Sequence, residues 1–186
     1  MSDILLAKAR KGDKEAFGQL IYPYERLIYN IAYKYMGNAE DAKDIAQDSL
    51  LKIYLNIKTC RSIDTFKAWA ARITVNTALD ALRKQAGKSA AVLEEYEAPE
   101  KDRPEHIVIQ KEDVKLVRDS INALSEEHRM LIILRDLEGF SYQELAQAAG
   151  VPLGTVKSRL SRARYALREQ IDKSKRLMYE GGNKND

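Results

Sequence analysis

Cysteine is nearly absent from this chain. Cys60 is the single one among 186 residues, so no internal disulfide can form. His106 and His128 are the only two histidines and cannot complete the Cys/His set of a structural zinc site. Neither a metal nor a cofactor is expected. With 9 glycines and 4 prolines the chain is a poor candidate for a loop-rich β architecture, and long helices are favoured. No apolar run approaches the roughly 18 residues of a membrane-spanning helix. The opening stretch carries Asp3, Lys8, Arg10, Lys11 and Asp13 where a secretory signal would be apolar. A Gly-rich phosphate loop and paired-histidine spacing are both missing, and no nucleophile stands beside either histidine. The expectation is a cytoplasmic, non-catalytic, all-α protein without membrane insertion.

What is present is charge, unevenly spread. Lys and Arg number 31 against 28 Asp and Glu. Residues 94–113 hold eight acids and three bases, whereas residues 157–176 hold eight bases and two acids. A basic block of this kind is either a solvated helix face or a phosphate-binding surface, and composition alone does not choose.

Apolar residues recur at three- and four-residue steps through most of the chain. Asp13 is placed to cap a helix carrying Phe17, Leu20, Ile21, Tyr24, Leu27, Ile28, Ile31 and Tyr35, kinked at Pro23 and ended by Gly37-Asn38. A second helix is expected from Ala39 to Ile57, with Asp44, Gln47 and Asp48 opposite its apolar face. Lys58–Ile63 reads as a loop, and a third helix runs from Asp64 or Thr65 to Ala86-Gly87. Residues 88–106, acidic and holding Pro99 and Pro104, read as a linker. Helical signal returns from Ile107 to Leu124. Ser125 then caps a helix through Leu137, Ser141 and Glu144 form a capping box, and Gly150 closes that short helix. After Pro152 a last helix reaches about Ser174, and residues 176–186 read as a disordered tail. The domain reading is therefore 1–87, a linker at 88–106, and 107–175.

Two helices around Gly150-Val151-Pro152 have the proportions of a helix-turn-helix. Leu145, Ala146 and Ala149 form the buried side of the first. In the second, Val156, Leu160, Ala163, Leu167 and Ile171 make one narrow stripe. At about 100° per residue, Lys157, Ser158, Ser161, Arg162, Tyr165 and Arg168 lie opposite that stripe, with Arg159 and Arg164 on its flanks. An apolar back with an exposed face of donors is what a DNA-reading helix requires.

The run from Ser141 to Arg164, with its Gly154-Thr-Val-Lys-Ser-Arg-Leu160 core, resembles region 4.2 of bacterial sigma factors of the extracytoplasmic-function class. Asp44-Ile-Ala-Gln-Asp48 resembles region 2.2, and Phe66-Lys-Ala-Trp69 with Arg72–Lys84 resembles regions 2.3 and 2.4. The resemblance implies two small helical domains, region 2 and region 4, joined by a linker. It implies contacts with the minus-35 promoter element by Thr155, Lys157, Ser158, Arg159, Ser161, Arg162 and Arg164. The minus-10 element, opened to its non-template strand, would meet Arg61, Arg72, Asn76, Asp80, Arg83 and Lys84. Asp44, Gln47, Asp48 and Leu51 would bind the β′ clamp helices of core RNA polymerase, and region 4 would meet its β flap. Duplex and melted promoter DNA, core polymerase and an anti-sigma factor are thus the implied partners. Each residue also has a plainer reading: Asp44–Asp48 as a solvated face, Trp69 as core, and Cys60 as incidental. The rival function is a free-standing regulator binding an operator as a dimer.

Overall fold

The computed structural model describes residues 2–89 and 111–181, all helix and short connection, with no strand among the described residues. Five helices make the first half: α1 (Ser2–Arg10), α2 (Lys14–Ile21), α3 (Glu25–Met36), α4 (Ala39–Asn56) and α5 (Phe66–Ser89). The second half holds α6 (Lys111–Asn122), α7 (Glu126–Ile132), α8 (Tyr142–Ala149) and α9 (Leu153–Gly181).

Helix starts follow from short polar side chains that accept otherwise unpaired backbone amides. Asp13, Asn38, Ser125 and Ser141 accept from Ala16, Asp41, His128 and Glu144 respectively. Gly37 and Gly150 end α3 and α8 in the left-handed region, at φ 78° and 69°, a conformation that a Cβ makes costly. Pro23 divides rather than kinks the expected helix after Asp13. Tyr22–Tyr24 forms a 3-10 turn between α2 and α3, because proline cannot donate to the α-helical ladder.

Helices α3, α4 and α5 pack together, and α1 lies on α2. Ile28, Ile31, Ile53, Phe66 and Val75 are all but inaccessible in the core they share. In the second half α9 packs on α6, α7 and α8. The expected helix through Leu137 changes pitch part-way: Ile133–Leu137 is a π turn, with Glu138 donating to the Ile133 carbonyl at 3.0 Å. The wider turn accommodates four consecutive buried residues, Leu131 to Leu134, which one face of a regular α-helix cannot hold.

Three boundaries differ from expectation. Helix α5 begins after a 3-10 turn at Ile63–Thr65 and continues to Ser89. Most of the expected linker, with the Ile107 helix start, falls outside the described residues. Residues 176–181, expected as the start of a disordered tail, continue α9; no proline interrupts the run, and its residues up to Glu180 are tolerant of helix. In the first helix of the turn motif, Ala148 rather than Ala149 is buried beside Leu145, while Ala146 and Ala149 are half-buried. Positions 145 and 148 share the face turned toward the core.

Candidate nucleic-acid interface

The second helix of the turn motif begins at Leu153, just past Pro152, and Val156, Leu160 and Ala163 seat its back in the core. Lys157, Ser158, Ser161, Arg162 and Arg164 are exposed, while Thr155 and Arg159 are half-buried. Ser158 Oγ donates to the Thr155 carbonyl at 3.0 Å, which ties that hydroxyl to its own helix. Arg164 is gripped by Asp136 through Nε at 3.0 Å and Nη2 at 2.5 Å. Arg159 pairs with Glu127. The Lys157 ammonium stands 6.0 Å from the Tyr142 ring centre, and the Arg135 guanidinium lies 4.7 Å from the same ring. Lys157 of α9 and Arg135 of the π turn thus both lie over the Tyr142 ring at the start of α8.

On α5 the residues Arg72, Asn76, Asp80, Arg83 and Lys84 are exposed. Their spacing of four, four, three and one places them along one side of the helix. Val75, Ala78 and Leu79 bury the opposite side. Arg83 bonds Asp80 at 3.2 Å. Arg61 is exposed in the connection between α4 and α5. Trp69 is half-buried and lies 5.8 Å from the Phe66 ring, which makes it a packing residue.

Helix α4 brings the third set together. Asp44, Gln47, Asp48 and Leu51 are all exposed, at steps of three, one and three along one stripe. Leu55 extends that stripe by one turn and is 67% exposed, with Leu51 at 56%. Leu55 was not singled out from the sequence, although its i+4 position after Leu51 was the available signal. Asp48 also lines an open cleft of about 470 Å³ between α4 and α5, together with Asp80, Arg83 and Lys84. The acidic stripe of α4 and the basic side of α5 therefore border one groove.

No group of three or more His, Cys, Asp or Glu side chains that could hold a metal ion occurs among the described residues. Cys60 is 1% exposed and its thiol donates to the Ser62 carbonyl at 3.4 Å. Burial pushes its pKa up, against weaker lowering by Thr65, Arg10 and Ser62, so it stays a protonated packing group at neutral pH. No described helix is long and apolar enough to cross a membrane.

The family pattern of Sigma-70 region 2 matches residues 20–88, and that of Sigma-70 region 4 matches residues 115–167. The ECF RNA polymerase sigma factor SigW of Bacillus subtilis is 30% identical over 176 residues, covering 89% of this chain and 94% of that protein. The ECF RNA polymerase sigma-E factor of Escherichia coli K12 is 32% identical over 178 residues, covering 90% and 93%. Among solved structures, the sigma factor RpoE of Bartonella quintana, in complex with the anti-sigma factor NepR, has a TM-score of 0.63. It is 28% identical and covers 84% of this chain and 96% of that one. CnrH, solved with the cytosolic domain of CnrY, shares the fold at a TM-score of 0.62 and 24% identity, over 92% of this chain and 98% of that one. With both sigma regions in order and identity sustained along nearly the whole length, the chain belongs to the extracytoplasmic-function sigma factors of RNA polymerase.

Proposed function

We propose that this chain directs core RNA polymerase to a two-element promoter through three separate surfaces, with no chemistry of its own. The supporting observation is their geometry: two basic, exposed helix faces on α5 and α9, and one acidic stripe ending in exposed leucines on α4. Residues 107–175 form the part that reads duplex DNA at the minus-35 element. Lys157, Ser161 and Arg162 face a major groove without rearrangement, and Arg159 and Arg164 swing to phosphates from their carboxylate partners. Residues 1–87 hold the minus-10 element. There Arg72, Arg83 and Lys84 neutralise the unpaired strand, Asn76 meets a base edge, and the Lys58–Ile63 connection, which carries Arg61, receives a flipped base.

Asp44, Gln47, Asp48 and Leu51 dock on the β′ clamp helices. Carboxylates steer the encounter with cationic partners, and the leucine gives apolar area to bury. Region 4 meets the β flap. Two modest DNA sites held on one polymerase gain avidity that neither has alone. The chain works in the cytoplasm, and an anti-sigma factor controls it, as the sigma factor of the Bartonella complex is bound by one.

The test is run-off transcription with purified bacterial core polymerase on a library of promoter fragments, with and without the protein. Initiation at discrete start sites only in its presence is the expected result. Absence of initiation together with tight operator binding by the protein alone would replace this reading with the dimeric regulator.

A further inference from the structure

Helix α1 packs against both 3-10 turns of the connection between α4 and α5, at Ile57–Thr59 and Ile63–Thr65. Leu6 and Ala9 of α1 are buried, as are Ile57 and Cys60. The connection therefore has two sides: Ile57 and Cys60 turn to the core, whereas Lys58, Thr59 and Arg61 are exposed. Its own hydrogen bonds are short in range. Cys60 N–H donates to the Ile57 carbonyl at 3.2 Å, and the Thr59 hydroxyl donates to the Asn56 carbonyl at 2.9 Å. The Ser62 carbonyl accepts from the Cys60 thiol at 3.4 Å and from the Thr65 hydroxyl at 3.0 Å. One bond comes from elsewhere. Arg10 Nη2, in the last turn of α1, donates to the Cys60 carbonyl across 50 positions. Among the described residues it is the hydrogen bond that ties this connection to another part of the chain.

The direction of Arg10 is informative. An arginine that only covers apolar surface keeps its head group in water. Arg10 is half-buried instead, with Nη2 on the carbonyl and Nε buried without a hydrogen-bond partner among the described residues. An unpaired buried donor is destabilising, so packing alone does not account for the inward turn of this guanidinium. A charged donor on a carbonyl makes a strong, directional bond. The peptide unit is planar, so fixing the Cys60 carbonyl also orients the Arg61 N–H and the path of the chain toward Ser62. Local bonds shape each 3-10 turn but leave the connection free to tilt as a unit; an anchor from α1 removes that freedom. Helix α1 lies outside the region 2 pattern, which begins at residue 20.

We infer that Arg10 is a positioning residue for minus-10 recognition. From α1 it holds the Cys60 carbonyl and keeps the Lys58–Ile63 connection in the shape that receives a flipped base. This rests on the reading of that connection as the base-receiving loop, and the hold itself is measured without DNA.

Arg10→Met keeps an apolar stem and a good helix former but removes the donor, whereas Arg10→Lys keeps a charged donor. In the free full-length chain, hydrogen exchange read by peptide mass spectrometry should be about tenfold faster for residues 57–62 of Arg10→Met, with α3 and α4 unchanged. Holoenzyme is then titrated with fork-junction promoter fragments in which one non-template base of the minus-10 element at a time is replaced by an abasic site. In wild type the flipped position should carry a penalty of about fivefold or more, the scale of one lost base contact. In Arg10→Met that penalty should shrink to about twofold or less, with penalties at the other positions and minus-35 affinity unchanged. Arg10→Lys should recover most of the lost penalty. A general weakening of the domain would lower every penalty together and would not be rescued by lysine. Unchanged exchange at residues 57–62, equal acceleration in α3 and α4, or a full abasic penalty in folded Arg10→Met would each overturn the inference. If no minus-10 position carries a penalty in wild type, the base-receiving reading fails instead, and the exchange rates decide whether Arg10 holds the connection.

Discussion

Replacing Glu144 by glutamine and by alanine separates two contributions made by one carboxylate. Its Oε2 accepts from the Ser141 backbone N–H at 2.7 Å, completing the capping box that starts α8. Its Oε1 accepts from Lys67 Nζ at 2.8 Å. Glutamine keeps an acceptor for the cap but loses the charge; alanine loses both. The ion pair is partly exposed, at 31% and 27% of the two side chains, so after solvent screening it is worth about 0.5 kcal/mol. The cap contributes roughly 1 kcal/mol. Thermal unfolding followed by circular dichroism should therefore place Glu144→Gln about 1–2 °C below wild type and Glu144→Ala about 3–6 °C below. In a Lys67→Met background, Glu144→Gln should cost almost nothing further. The pH dependence has a definite sign. Burial pushes the Glu144 carboxyl up, but bonds from Lys67 and from the Ser141 amide and hydroxyl outweigh it and hold the folded value below the ordinary 4.5. A depressed carboxylate contributes stability that is fully present above its unfolded value and is lost as pH falls through its folded value. The gap between wild type and Glu144→Gln should consequently narrow as pH falls below 4.5 and close in stronger acid, once the folded carboxyl is protonated. A gap that persists there, or a glutamine variant as unstable as the alanine one, would refute the division of roles.

Other expectations follow from the three surfaces. Lys157→Ala and Arg162→Ala should each weaken minus-35 binding and lower the salt slope of that binding by about one, in a filter or anisotropy titration across salt; unchanged polymerase binding is the control. Asp48→Lys should weaken association with core polymerase at least about tenfold in a pull-down or interferometry titration, since a charge is reversed within the docking stripe. Cys60 should react with a disulfide reagent at least about 100-fold more slowly in native buffer than in urea, because reaction requires local opening of the core. A fast native rate would show that the connection from α4 to α5 opens freely.

Local signals carried most of the helix placement. Asp13, Asn38, Ser125 and Ser141 each cap where a short polar residue precedes an apolar period, since capping depends on residues within one turn. The α9 stripe Val156, Leu160 and Ala163 was legible for the same reason. Exposure of the candidate α5 and α9 residues followed once those stripes were known. What periodicity misses is a helix buried on more than one side. The run Met130-Leu-Ile-Ile-Leu134 has no polar face to orient it, and its π turn with a contact to α3 appears only in three dimensions. An unbroken apolar run of that length was nonetheless a sign of burial between two neighbours.

The seam between the halves was illegible for a different reason. Lys34 and Glu138 are 104 positions apart, and Lys67 and Glu144 are 77 apart. In sequence each is one more charge on an amphipathic helix, indistinguishable from a residue facing water. Because exposed pairs contribute little one at a time, packing of the two halves against each other has to be collective. It draws on three acid–base contacts, the third between Arg83 and Glu126, on the Arg72–Gly150 approach and on the apolar packing between α5 and α8. Neutralising Glu126 alone should leave the Lys34–Glu138 link, read as the yield of the amide a water-soluble carbodiimide forms between the two side chains, nearly unchanged, since the remaining contacts hold the halves in register. Neutralising Glu126 and Glu138 together should reduce the surviving Lys67–Glu144 link by more than the product of the two single effects. A response in which the single effects simply multiply would mean that the contacts form independently, and the halves would then not move as two rigid bodies.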